Sequence, residues 1–293
     1  MRVLKGLVVG LFFGLCLTLV SNDAEAKSYK RLKVRFHSVD PGHTLIGGLY
    51  YKPRAEGRHP GVVMLHGCGG MLTKSKKLKS RPTFWARWLA NQGYAVLLAD
   101  SFNPRGFRTM CQTLKRPVNP HNERPYDAFG AVKFLQAQME VQANRVALMG
   151  WSNGAMTLLW TIKDKSKQHP DDLKAPIRAA VAFYPGCIRL GRKAYHTEIP
   201  TLLQLGLADD WTLPKPCLRL VEKARNNGAP ILVDAYPGAF HGFDHPKSRP
   251  RTITTRNSNS KTKERKVHVG TNTEARALAI ERVREFLELH LKD

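Results

Sequence analysis

The stretch Arg145-Val146-Ala147-Leu148-Met149-Gly150-Trp151-Ser152-Asn153-Gly154-Ala155-Met156-Thr157-Leu158-Leu159-Trp160 decides the fold. Its first five residues, apolar after the arginine, read as a buried strand, and Ala155 to Trp160 reads as a helix. Between them stands Gly-x-Ser-x-Gly. A turn this tight would make bulky side chains beside the serine clash. The two glycines relieve that clash and leave Ser152 exposed at the top of a sheet, the geometry of a nucleophile elbow. The plain alternative is a strand–helix turn that happens to contain serine. The flanking strand and helix are the context the motif requires.

Working outward, the same alternation continues. Val34 to Val39 and Thr44 to Tyr50 predict an opening hairpin around Asp40-Pro41-Gly42-His43. Gly61 to Leu65, Tyr94 to Ala99, Arg178 to Tyr184, Thr201 to Leu205 and Ile231 to Tyr236 read as further strands. Helices are expected at Phe84 to Gln92, Tyr126 to Glu140, Leu218 to Asn226 and Thr273 to Leu291. In the second of these, Phe129, Val132, Leu135 and Met139 share the apolar face. Strands alternating with helices imply an α/β domain, with a mostly parallel sheet of about eight strands covered on both faces. Lys74 to Arg81 reads as an exposed basic loop, and Ser101 to Pro125 as a long connection.

The start of the chain carries Arg2 and Lys5, an uncharged apolar run from Gly6 to Val20, and Ala24-Glu25-Ala26 as a small-x-small cleavage site. This reads as a secretory signal peptide over 1–26, leaving one domain over 27–293 in the periplasm or secreted. No later run is apolar and long enough to span a bilayer. Lys and Arg number 47 against 23 Asp and Glu, a net charge of +24. Such a field draws polyanions, anionic lipid or an acidic envelope polymer, unless the excess is merely solvated. No motif for specific nucleic-acid binding is present. Pro246 to Lys266 has eight basic residues against Glu264 alone and almost no apolar ones. It is expected to be a flexible basic insertion, unable to fold by itself.

Cys68, Cys111, Cys187 and Cys217 remain after signal removal, an even count that suggests bridges in an oxidising compartment. If the strands take the usual order of this fold class, Cys68 neighbours Cys111 and Cys187 neighbours Cys217. Free buried thiols are the alternative. No close Cys-x-x-Cys pair points to a metal.

A serine hydroxyl needs a base, and the base an orienting carboxylate. On sheets of this kind the order is Ser, Asp or Glu, His, each after a strand. Asp209 and Asp210 follow one strand and His241 follows the last. Asp209, three residues after Gly206, is the preferred acid and Asp210 the alternative. The oxyanion of a tetrahedral intermediate needs donors. The N–H of Asn153 is one candidate and that of Cys68, within His66-Gly67-Cys68-Gly69-Gly70, the other.

Taken together, Leu65 to Gly70, Asp100 to Gly106, Gly150 to Gly154, Asp209-Asp210-Trp211-Thr212 and His241-Gly242-Phe243 resemble the dienelactone hydrolase family of α/β-hydrolases. The likeness runs from about His59 to the closing helix. It implies a hydrolase of small esters or lactones without metal or organic cofactor. The namesake enzymes use cysteine where this chain has Ser152, so fold and ester chemistry carry over but the named substrate does not. The resemblance also singles out Asp100 and Arg105, expected to pair with each other or to hold their loop against the site. The sharper alternative has Arg105 bind an acidic substrate. Two other functions fit the chain: acyl transfer through the same serine, and polyanion binding on a hydrolase scaffold that leaves the serine unused.

Overall fold

The structure, a computed structural model, describes residues 28–192, 194–256 and 264–293. The signal-peptide reading and the expected start at Lys27 lie outside the described residues. The strands are β1 (Tyr29–His37), β2 (Leu45–Pro53), β3 (His59–Leu65), β4 (Ala95–Asp100), β5 (Val141–Trp151), β6 (Ala179–Phe183), β7 (Thr201–Gly206), β8 (Ile231–Tyr236), β9 (Arg251–Arg256) and β10 (Glu264–Val269). The helices are α1 (Ser80–Asn91), α2 (Glu123–Gln136), α3 (Asn153–Thr161), α4 (Pro214–Asn226) and α5 (Thr273–Leu291).

Eight strands form one sheet in the order β1-β2-β4-β3-β5-β6-β7-β8. The β1–β2 and β2–β4 pairs are antiparallel; from β4 to β8 every pair is parallel. The central strands are apolar without interruption because each face meets helices. Val63, Leu65, Val146 and Leu148 point to one core, shared with Phe129 of α2, Leu158 of α3 and Leu220 of α4. Their neighbours Val62, Met64, Ala147 and Met149 point to the other, shared with Trp85 of α1 and Val283 of α5. Each such side chain contributes roughly 1.5–3 kcal/mol on burial. This is the α/β-hydrolase sheet expected from the sequence. Its parallel strands end at one edge, where the loops bearing functional side chains gather.

Three local expectations are corrected. Helix α2 begins earlier and stops at Gln136, so Met139 is 85% exposed and not on the buried face. The chain must reverse there to enter β5 at Val141, and Gln136 Nε2 holds the reversal by donating to Ala143 O at 2.9 Å. The basic loop is shorter than expected, since Ser80 and Arg81 already belong to α1.

Of the segment 246–266, expected to lack structure of its own, residues 257–263 lie outside the described ones; the rest carries β9 and the first half of β10, paired antiparallel as a separate two-stranded sheet. The run Thr252-Ile253-Thr254-Thr255 is β-branched throughout, a strand composition that its charge obscured. Thr255 and Val267 are buried. Gln112 pins the hairpin from outside, donating from Nε2 to Thr254 O and accepting from Arg256 N, both at 3.0 Å.

Candidate active site

The turn after β5 is as cramped as its glycines imply. A Cβ on Gly154 would lie 2.0 Å from Leu65 O, and one on Gly150 would lie 2.6 Å from Gly154 O. Ser152 sits at φ 52° and ψ −113°, a conformation that L residues avoid. Two backbone bonds hold it there: Ser152 N donates to Phe183 O at 2.9 Å, and Ser152 O accepts from Met156 N at 2.8 Å. The side chain is partly exposed, and its Oγ has no hydrogen-bond partner among the described residues. In unliganded enzymes such contacts often tighten only when substrate binds.

The loop after β7 separates the two aspartates. Asp209 is 2% exposed. Its Oδ1 accepts from Trp211 N and Thr212 N, both at 2.9 Å, and its Oδ2 lies 2.7 Å from His241 Nδ1. Asp210 turns outward instead and takes His268, whose N and Nδ1 each lie at 2.8 Å. Burial alone would raise the Asp210 carboxyl, but the bonds from His268 outweigh it and hold it below its ordinary value. The geometry therefore pairs Asp209, not Asp210, with His241.

His241 follows β8 and is itself clamped. It bridges to Val269 at the end of β10, and its carbonyl accepts from Gly270 N at 3.2 Å. Its ring lies between Tyr184 and Trp211, with centroids 4.6 and 4.7 Å away. Because Nδ1 faces Asp209, the second ring nitrogen is left for other work. Thr212 Oγ1 lies within 3.0 Å of His241 Nδ1, Asp209 Oδ2 and Tyr184 O. Its single proton serves one acceptor at a time.

The loop after β3 closes on the elbow. A Cβ on Gly67 would lie 3.6 Å from Ser152 Cβ. Cys68 is bonded to Cys111, and its carbonyl accepts from Met110 N at 2.7 Å. The N–H groups of Cys68 and Asn153 donate to no group among the described residues. For Asn153, first residue of α3, that follows from the helix geometry. A second disulfide, Cys187–Cys217, ties the loop after β6 to α4. His66 is buried beside this loop. Burial, reinforced by the charge of Arg124, pushes its imidazole well below the usual range.

Asp100 and Arg105 do not pair with each other. Asp100 accepts from Phe102 N, Asn103 N and Asn103 Nδ2. Arg105 makes a two-pronged bond to buried Asp127, at 2.9 and 2.8 Å, and donates to Ser101 O. Both hold the loop.

Two arrangements had no sequence signal. Asp244, fully buried, accepts from Trp85 Nε1 and Trp151 Nε1, each at 2.8 Å, and from the Tyr184 hydroxyl. Arg81 donates to that same hydroxyl and lies 3.6 Å from Asp244 Oδ1. Tyr184, at φ 38°, thus sets its ring against His241 at a tilt of 58°, with its hydroxyl locked from behind. Fully buried Arg124 donates to Asn153 Oδ1 at 2.5 Å. Burial pushes Arg124 down to about 10 against the opposing pull of Asp127 and Asp100. Among the described residues no group of three or more His, Cys, Asp or Glu is placed to hold a metal ion, and no helix is long and apolar enough to cross a membrane.

Solved structures share this architecture at low identity. A dienelactone hydrolase-like promiscuous phosphotriesterase, P91, from metagenomic libraries is 19% identical with a TM-score of 0.63, over 90% of this chain and 99% of that one. A thermophilic esterase, Est2, from Thermogutta terrifontis is 17% identical with a TM-score of 0.60, over 87% and 91%. An acylaminoacyl peptidase from Pyrococcus horikoshii is 17% identical with a TM-score of 0.64, over 92% of this chain but 43% of the peptidase. At these identities the likeness establishes the fold. The model of the dienelactone hydrolase family matches residues 46–291, nearly the whole described domain. The chain therefore belongs to the dienelactone hydrolase family and is a carboxylic ester hydrolase.

Proposed function

We propose that this chain is an exported serine esterase or lactonase in which Ser152 is the nucleophile, His241 the base and Asp209 its orienting acid. The observation that carries the reading is the 2.7 Å contact between Asp209 Oδ2 and His241 Nδ1, at the same sheet edge as the strained Ser152 turn. Asp209, held by two backbone N–H groups, fixes the Nδ1–H tautomer and favours the imidazolium.

His241 Nε2 takes the Ser152 proton as Oγ attacks the ester carbonyl carbon. The carbonyl oxygen becomes an oxyanion that accepts from the N–H groups of Cys68 and Asn153. Collapse breaks the ester C–O bond, and the imidazolium returns the proton to the departing alcohol. A water, deprotonated by His241, then cleaves the acyl-enzyme and frees Ser152. Because the Cys68–Cys111 bond fixes one donor loop and α3 the other, the donors require little rearrangement. The apolar run at 6–20 and two disulfides support export to the periplasm or medium.

Labelling with a fluorophosphonate probe, alongside hydrolysis of 4-nitrophenyl esters of increasing chain length, tests the reading. Ser152→Ala should abolish labelling and lower kcat by about 10⁴-fold or more. Labelling that persists at another residue in Ser152→Ala overturns it.

A further inference from the structure

Beside the proposed nucleophile opens a groove of about 470 Å³, a usual size for a small-molecule site. Ser152, Asp209 and His241 are not among its lining residues, but neighbours that touch or follow them are. Met156 stands one turn beyond Ser152, Trp211 packs at a tilt against His241, and Thr212 bonds Asp209. Five arginines also line it, Arg116, Arg189, Arg192, Arg256 and Arg265, with no Asp or Glu among the lining residues.

These arginines come from three separate parts of the chain. Arg116 belongs to the long loop before α2, Arg189 and Arg192 to the connection after β6, and Arg256 and Arg265 to the β9–β10 hairpin. Among the described residues Arg116, Arg189, Arg192 and Arg265 have no carboxylate within 4.0 Å; Arg256 reaches Glu264 at 3.7 Å. Gln112 holds the hairpin backbone at Arg256, and Arg116 is fixed by its bond to Met110 O at 3.0 Å. His121, also in the lining, feels the result. Burial and then the charges of Arg189 and Arg116 push it down to about 4. General surface basicity would scatter its charges. Here separate segments bring them to one concavity, where among the described residues only Arg256 of the five has a carboxylate within 4.0 Å. The guanidinium fork matches carboxylate and phosphate oxygens in pairs.

We propose that this groove is the subsite for an oligoanionic ester, a substrate with at least two acidic groups that seat among these arginines while its ester carbonyl lies at Ser152. The proposal deepens the serine-hydrolase reading and rests on it for the chemical step, but the groove's affinity for anions does not depend on Ser152.

Two double variants, Arg189→Gln/Arg192→Gln and Arg256→Gln/Arg265→Gln, are compared with wild type, each checked for a cooperative thermal transition. The readout is the ratio of kcat/KM for the mono-4-nitrophenyl ester of tricarballylic acid, with two free carboxylates, to that for 4-nitrophenyl acetate. The wild-type ratio should exceed roughly tenfold at low salt, fall towards unity near about 0.5 M NaCl, and drop about tenfold in at least one double variant. A ratio near unity in wild type, or one unmoved in both variants, overturns the proposal. Should the fluorophosphonate reaction show that Ser152 is not the nucleophile, calorimetry on Ser152→Ala decides the groove alone. Binding of benzene-1,3,5-tricarboxylate or tripolyphosphate that weakens in the arginine variants supports it, and the stronger of the two probes identifies the acidic group. Absence of binding by both overturns it.

Discussion

Arginines flank the proposed active site on two sides, and the two sets are built differently. Behind His241, Arg81 lies against the Tyr184 hydroxyl and Asp244, and Asp244 accepts from two indole N–H groups and that hydroxyl. Arg105 is likewise answered by Asp127. In the groove in front of Met156 and Trp211, four of the five arginines have no carboxylate partner among the described residues. A cation matched by a buried carboxylate is scaffold: removing its partner strands a charge. A cation with no such partner contributes little to the fold and holds its field for a ligand.

The largest expected effect lies in the scaffold. Asp244→Ala removes the acceptor of two indoles and a phenol and leaves Arg81 without its counter-charge. Urea unfolding should show a loss of about 3–5 kcal/mol; an unchanged midpoint would mean that the cluster is not one network. Asp127→Ala should cost about 2–3 kcal/mol, because Arg105 loses both prongs but keeps Ser101 O. The groove should behave in the opposite way. Each double glutamine variant described above should stay within about 0.5 kcal/mol of wild type, or be slightly more stable as like charges separate. A loss comparable to that of Asp127→Ala would make the groove arginines structural and erase the contrast.

A further test is in acid. His121 and His245 are both pushed from 6.5 down to about 4, chiefly by burial and then by neighbouring arginines. Below about 6.5 the unfolded chain therefore binds protons that the folded chain refuses. Their contribution to stability is present above that pH and is lost as pH falls towards about 4. Proton NMR should find the His121 midpoint near 4 in wild type and higher in Arg189→Gln; an unmoved midpoint would deny that the groove carries an unbalanced field.

Much of the frame was legible because burial on both faces leaves a plain mark. Val62 to Leu65 and Val146 to Met149 are uninterrupted apolar runs, and the limits of α5 were readable from its periodicity, with Asn272 capping it by accepting from Ala275 N. Both disulfides take the pairing expected if the strands follow the usual order of this fold class. What escaped were interactions between charged or polar groups far apart in the chain. Nothing near Asp244 announces that it will be buried under Trp85 and Trp151, and Arg81 read as surface because its partners come from the residue after β6 and from the turn after β8. The β9–β10 hairpin was missed because its charge suggested a solvated segment, whereas Gln112 and Asp210 supply the partners that hold it.

Composition and local pattern, then, determined the sheet, its covering helices and the glycine-flanked turn at Ser152, since each depends on neighbours within a few residues or on the hydrophobicity of a single strand. Packing alone decided that Asp209 and not Asp210 meets His241, and that five arginines spread from position 116 to 265 converge on one groove. Electrostatic partners act through space over a few ångströms, and the order of residues along the chain carries no record of that distance until the backbone has folded.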